Sequence, residues 1–338
     1  MHLDPYSVLV GFVGVVEIGV ACALLAVVAR RGAAGADDDR GPLRAWTGFV
    51  LAALSLVSWP VLYLWLQSLV PRWADVMCIQ GVTRVGAGDP GPARFFPPLV
   101  AVAQATKPVL AFLAGTWLVL HRTDRRTGSA PLSSRLRGVL ALLALVALVD
   151  ASASLGALGI PKDDRSLSVG CCTFASAARD VRAPWPFSAW SPHAAAPFVT
   201  AAHLGLGAVL LVGTSAWRAR TTTGRAWPRG APLVVFAAAA AVPVGLAFLS
   251  TVLAPHLLGR PEHFCAYCAL AETPESLLGV GLFLTGVFAT GWAAVLATLG
   301  RPAASEAPLA PAVAGWLRVA QVATACATAF VVGALALR

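Results

Sequence analysis

Hydropathy along the chain alternates long apolar runs with short segments rich in Arg, Pro and Gly. A helix crosses a bilayer with roughly 20 predominantly apolar residues. Eight runs reach that length, at about 7–29, 46–68, 98–121, 138–160, 196–217, 231–255, 277–299 and 311–336. The pattern predicts an all-α polytopic membrane protein with about eight transmembrane helices. The first run follows MHLDPYS, which lacks a basic segment, and ends in VVARR without a small-residue cleavage site. It therefore reads as a retained helix and not as a signal peptide.

Composition agrees with this pattern, since 58% of residues are hydrophobic, 12% are charged and the mean hydropathy is +0.75. Those values exclude an ordinary soluble domain. The positive charges then set an orientation. With the N-terminus outside, the four connections RRGAAGADDDRGPLR, RTDRRTGSAPLSSRLR, RARTTTGRAWPRG and RPAASEAPLAPAVAGWLR hold 15 of the 25 Lys and Arg residues. Short loops rich in Lys and Arg stay inside, so both termini are expected on the external face. Trp46, Trp65, Trp217 and Trp316 fall near run ends, where an amphipathic indole favours the interface. The net charge of +9 accordingly describes topology and attraction to the lipid bilayer. No basic stripe with interleaved aromatics is present, so nucleic acid is not an expected partner. Short loops and an Ala/Arg-rich composition point to a bacterial inner (cytoplasmic) membrane.

Organisation adds a repeat. FLAGTWLVLHR closes the third run and FATGWAAVLATLGR the seventh, and Pro60 and Pro243 interrupt outward runs that precede Cys78 and Cys265. The expectation is two parallel four-helix halves. Residues 1–160 would carry the Cys78 loop, and residues 161–338 the Cys171/Cys172 and Cys265/Cys268 loops. The segment VRAPWPFSAWSPH, with Trp185, Phe187 and Trp190 among prolines, would lie on the membrane surface as a lid.

Seven cysteines divide by this topology. Cys22 and Cys326 lie inside the first and last runs and read as packing residues. Cys78, Cys171, Cys172, Cys265 and Cys268 all fall in external loops, on the oxidising side of a bacterial envelope. Three readings follow. The cysteines staple the loops structurally, although an odd number leaves one thiol over. Alternatively, they ligate a soft ion, Cu or Zn, with His263, Cys78, Cys171, Cys172, Cys265 and Cys268 as donors. In the third reading they exchange disulfides, with Cys265, Cys268, Cys171, Cys172 and His263 as the catalytic set, because adjacent and C-x-x-C pairs form short, reducible rings. His263 and the start of the following span would favour a thiolate, while Glu272 and Glu275 would oppose it. A C-x-x-C-H motif for covalent haem is absent, and only Met1 and Met77 supply thioethers.

Runs four to seven, taken alone, place Cys171 and Cys172 in a loop between the first two helices and FCAYC at the external start of the last. This order resembles the four-helix core of the vitamin K epoxide reductase family and the bacterial disulfide-generating membrane oxidoreductases. The resemblance implies that Cys265 and Cys268 face a bound quinone. It also implies that Cys171 and Cys172 exchange electrons with a thioredoxin-fold periplasmic protein.

The apolar runs also contain charge. Glu17, Lys107 and Asp150 fall near the middle of their runs, at similar depth. Charge there is costly and faces a partner inside the bundle. The structural reading is a helix-locking ion pair. The functional one is a quinone head-group site or a proton relay of Glu17, Lys107 and Asp150, with His203 as a further cofactor-binding candidate. Two carboxyls and one ammonium leave one proton to place. Pro108 interrupts the helix ladder beside Lys107, and Gln104 lies one turn away. The function expected is thiol-disulfide exchange linked to a quinone. The alternative is a non-enzymatic membrane subunit or soft-metal-handling factor that braces other membrane subunits.

Overall fold

The computed structural model describes residues 4–29, 41–73, 76, 78–127, 130–161, 189–221, 228–303 and 309–336. Among these residues every regular element is helical. All eight apolar runs are helices long enough to cross a membrane, and the chain is a multi-pass membrane protein. The spanning helices are α1 (Pro5–Ala29), α2 (Gly41–Leu69), α4 (Phe96–Asp124), α5 (Ser133–Gly159), α6 (Pro192–Thr221), α7 (Ala231–Phe248), α10 (Glu275–Leu299) and α11 (Leu309–Ala336). Short helices α3 (Ile79–Val82), α8 (Ala254–Leu258) and α9 (Ala266–Glu272) lie in the connections. Lipid offers no hydrogen bonds, so each span must satisfy its own backbone, and helices do this within a single segment. Pro60, Pro108, Pro197 and Pro243 stand inside helices that continue through them.

One local departure from α geometry has a proline cause. Between α7 and α8, Leu249–Leu253 winds as a π-helical turn. Pro255 has no N–H for the carbonyl of Thr251, and its ring would crowd that carbonyl in an α-helix. A wider turn relieves the clash. The Ser250 and Thr251 hydroxyls donate to the carbonyls of Leu246 (3.0 Å) and Ala247 (2.8 Å) in this stretch.

The chain packs as two compact units. In the first, α1 contacts α2 and α5, and α4 contacts α5 and α2, so four spans form a closed ring. In the second, α6, α7, α10 and α11 form another, with α11 closing on α6. Small residues let the helices approach: Gly14 meets Leu155, Gly213 meets Val234, and Gly245 meets Phe283. Polar ties are few. In the second ring Arg218 Nη1 donates to Gln321 Oε1 at 2.8 Å, and Gln321 Nε2 donates to Ser215 Oγ at 2.8 Å.

The start of α1 is pinned from several sides. Asp4 precedes Pro5 and accepts from the Ser7 backbone N–H at 2.8 Å and the Ser7 hydroxyl at 2.9 Å. This is an N-cap followed by Pro at the first helical position. Arg72, at the end of the α2 segment, donates to Asp4 Oδ2 at 2.6 Å, and the Trp65 indole donates to Ser7 Oγ at 3.2 Å. Burial pushes the Asp4 carboxyl up, but the Ser7 hydrogen bonds and the Arg72 charge outweigh it and hold it below the ordinary carboxylate value. The tie therefore stabilises the fold above the unfolded carboxylate range and is lost as pH falls through the lowered folded value. Asp4→Ala is expected to cost about 1 kcal/mol at neutral pH. In detergent melts the difference from wild type should vanish in strong acid, and a difference independent of pH would contradict the assignment.

Two groups of residues sit differently from the sequence expectation. Trp65 and Trp217 are 1% exposed, inside their bundles, where each fills a large core site, whereas Trp46 is 71% exposed. An indole near a run end can serve the core when its N–H finds a partner, as that of Trp65 does. Cys22 and Cys326 face outward from α1 and α11 and do not pack in the core. On a spanning helix an outward thiol rests against lipid at little cost, because it behaves as a small apolar group.

Candidate functional site

Four helices of the first unit converge on a polar centre within the apolar bundle. Glu17 comes from α1, Ser55 and Ser58 from α2, Thr106 and Lys107 from α4, and Asp150 and Ser154 from α5. The charged side chains are closed off from the surface: Glu17 and Lys107 are 1% exposed and Asp150 is 0% exposed. Lys107 Nζ donates to Asp150 Oδ2 at 2.5 Å and to Ser58 Oγ at 2.9 Å. The Ser58 hydroxyl donates in turn to the Ser55 carbonyl at 2.9 Å, and the Ser55 hydroxyl donates to Glu17 Oε1 at 3.1 Å. Thr106 Oγ1 lies 2.5 Å from Asp150 Oδ1 and 3.0 Å from the carbonyls of Val102 and Ala103. It has one hydrogen, and the ionised carboxylate is the stronger acceptor.

Local sequence explains the convergence. Ser55 and Ser58 are three residues apart and Asp150 and Ser154 four apart, so each pair shares a helix face. Glu17, Ser58, Lys107, Asp150 and Ser154 all line one small cavity, about 10 Å³ in volume. Ser154 is buried there, and its hydroxyl has no hydrogen-bond partner. Glu17, Lys107 and Asp150 thus come together as their common depth predicts, with the Lys107–Asp150 contact direct. Ser55, Ser58, Thr106 and Ser154 complete the site and were not singled out in the sequence, where Thr106 beside Lys107 and Ser154 one turn from Asp150 carried some signal and Ser55 and Ser58, on a helix without charge at that depth, carried none. His203 belongs to the other unit. Its half-buried ring stacks on Phe248 (centroids 4.3 Å apart, 1° between planes) and tilts against Phe283 at 5.6 Å, so it serves an aromatic cluster.

The C-x-x-C lies in a tightly built connection of the second unit. Gly259 ends α8 in the left-handed region (φ 62°), a conformation glycine adopts without cost. The Arg260 N–H donates to the Pro255 carbonyl at 3.1 Å, and the His263 N–H to the Arg260 carbonyl at 3.0 Å. Extended Cys265 then caps α9. Cys268 is its third helical residue, and cap and third residue face each other at a helix start. Their sulfurs lie within 4.8 Å, as thiols, and both residues are buried. The Thr273 and Ser276 hydroxyls both reach the Ala269 carbonyl, at 2.5 and 3.2 Å, and fix the join between α9 and α10. His263 Nε2 is buried without a hydrogen-bond partner.

Polar side chains around this connection are engaged with each other. Arg260 Nη1 is 3.5 Å from Glu272 Oε1, and His193 Nε2 is 3.2 Å from Glu262. Glu275 stands in the first turn of α10. Cys78 is buried at the N-cap of α3 in the first unit. Cys171, Cys172, Trp185 and Phe187 lie outside the described residues. No protein-family model, curated protein or solved structure matches the chain.

Proposed function

We propose that the protein is a membrane thiol oxidoreductase whose working dithiol is Cys265 and Cys268. The observation that carries the reading is the convergence of two buried thiols to within 4.8 Å in a connection built by Gly259, Thr273 and Ser276. Oxidation breaks two S–H bonds, forms one Cys265–Cys268 S–S bond, and releases two electrons and two protons. Their acceptor is a quinone, reduced to quinol. A small lipophilic acceptor suits the site because the sulfurs are buried in an apolar protein, where a folded macromolecule does not reach them. Cys171 and Cys172 then carry the disulfide to a thioredoxin-fold protein on the external side of a bacterial inner membrane. There a thiolate of that protein attacks the loop disulfide, and one loop thiolate leaves.

A second reading rests on the same separation. Two thiolates on a tetrahedral zinc ion, each bonded at about 2.3 Å, stand roughly 3.8 Å apart, within the observed bound. Soft Cu or Zn binding is therefore the competing use of the pair.

The test is differential alkylation of purified membranes followed by mass spectrometry, with elemental analysis on the same sample. Addition of a short-chain quinone should convert Cys265 and Cys268 into a disulfide with formation of one quinol. Cys268→Ser should abolish quinol formation, and when the Cys171–Cys172 pair is first oxidised the Cys265 thiolate should attack it, one loop thiolate leaving, and stay trapped in a mixed disulfide. Thiols unchanged by quinone, together with a stoichiometric ion lost in Cys268→Ser, would replace this reading with the metal one.

A further inference from the structure

We propose that the cavity between α1, α2, α4 and α5 is a proton-binding site, with Glu17 carrying the proton and one water completing the site. This proposal does not rest on the thiol reading, and none of its residues is a cysteine.

Charge counting is the first argument. Lys107 and Asp150 neutralise each other in a direct contact. Glu17 is then the remaining acid, with a neutral Ser55 hydroxyl as its hydrogen-bond donor. The elements packed on α1 are α2 and α5. From α2 the site receives only Ser55 and Ser58, from α5 Asp150, and across the cavity Lys107 from α4. With both carboxyls ionised the centre holds a net charge of one electron, almost fully enclosed. An isolated buried carboxylate costs far more than one hydrogen bond returns. A single bound cation removes that cost, and the smallest is a proton.

Dimensions and donors argue for a proton over a metal ion. The cavity of about 10 Å³ admits one water and little else. A bound water needs two to four polar partners, and Glu17, Ser58, Asp150 and Ser154 all line the space. The buried Ser154 hydroxyl, otherwise without a partner, is the independent sign that something polar belongs there. Sodium would need five or six oxygens and would share the same small cavity with the Lys107 ammonium, which repels it.

The site exchanges its proton when the charge pair opens. If Lys107 moves from Asp150 toward Glu17, the ammonium compensates the ionised Glu17 carboxylate and the proton passes to Asp150 or the cavity water. Ser58 accepts from Lys107 on the α2 side already, and Glu17 lines the same cavity.

The experiment is infrared difference spectroscopy on the full-length protein in lipid nanodiscs, following the protonated-carboxyl band across a pH titration. The wild type should show one such band at neutral pH. The band should shift on deuteration and on labelling with isotopic glutamate, and be insensitive to sodium or lithium. Glu17→Gln should remove the band and reduce proton release on alkaline titration by one equivalent, and Asp150→Asn should remove it as well, because the released Lys107 ammonium then compensates an ionised Glu17. Should Glu17→Gln fail to fold, the glutamate label in wild type still decides between Glu17 and Asp150. Absence of the band, a band that follows aspartate labelling, or displacement by sodium would each overturn the proposal.

Discussion

Lys107→Met should destabilise the first four-helix unit by about 3–5 kcal/mol, because removing one partner of a buried ion pair leaves the other uncompensated. The ammonium is buried between Asp150 and Ser58, so the variant strands an aspartate and a serine acceptor together. Methionine keeps the length of the side chain, which limits the cavity contribution and isolates the charge effect. Lys107→Met with Asp150→Leu should recover most of the loss, since apolar replacement of a whole buried pair is often neutral or stabilising. Denaturation in detergent, followed by tryptophan fluorescence, reads both variants, because Trp65 and Trp117 are buried in this unit. A loss under about 1 kcal/mol, the range of exposed pairs, would mean that water reaches the pair and that the centre is open.

The distribution of what could be read from sequence follows from physics of different range. Span number was legible because bilayer thickness imposes length, and each run from 7–29 to 311–336 is a helix. Glu17, Lys107 and Asp150 were legible as partners because charge at that depth has few alternatives. The hydroxyls around them were not. Ser and Thr in spans commonly bond their own helix, as Thr214, Thr290 and Thr328 do here, so Ser55 and Ser154 look the same in sequence as packing residues. The facing of Cys265 and Cys268 followed from a spacing of three at a helix start. The π turn at Leu249–Leu253 required knowing that helix continued up to Pro255, which is a boundary question. Trp65 and Trp217 were misplaced because a run end specifies depth but not the side of the helix that faces neighbours. Asp4 as a cap was within reach of sequence, since Asp before Pro is a helix-start signal, but its tie to Arg72 joins residues 68 apart.

Gly286→Leu should cost the second unit about 1–3 kcal/mol through overpacking. α10 and α11 cross where glycine allows it. A Cβ at Gly286 would lie 2.5 Å from Thr324 Oγ1, 3.3 Å from the Thr324 backbone nitrogen and 3.5 Å from the Ala320 carbonyl oxygen. Rotation of Thr324 relieves only the first contact. The Ala320 oxygen stands at ordinary contact distance, but the Thr324 nitrogen is backbone, and the further side-chain atoms of leucine find room beside it only if the helices separate, which weakens packing along their length. Seven residues earlier on the same face, Gly279 meets the Phe330 ring at 2.5 Å, but this neighbour is a single side chain with rotational freedom. Gly279→Ala should therefore cost less than Gly286→Leu. Gly281 has open space where a Cβ would stand, and Gly281→Ala should be neutral or stabilise by up to about 1 kcal/mol through helix propensity. Thermal unfolding of the three variants in one detergent ranks them. If Gly286→Leu unfolded with Gly281→Ala, the close approach of α10 to α11 would not be what holds this ring closed.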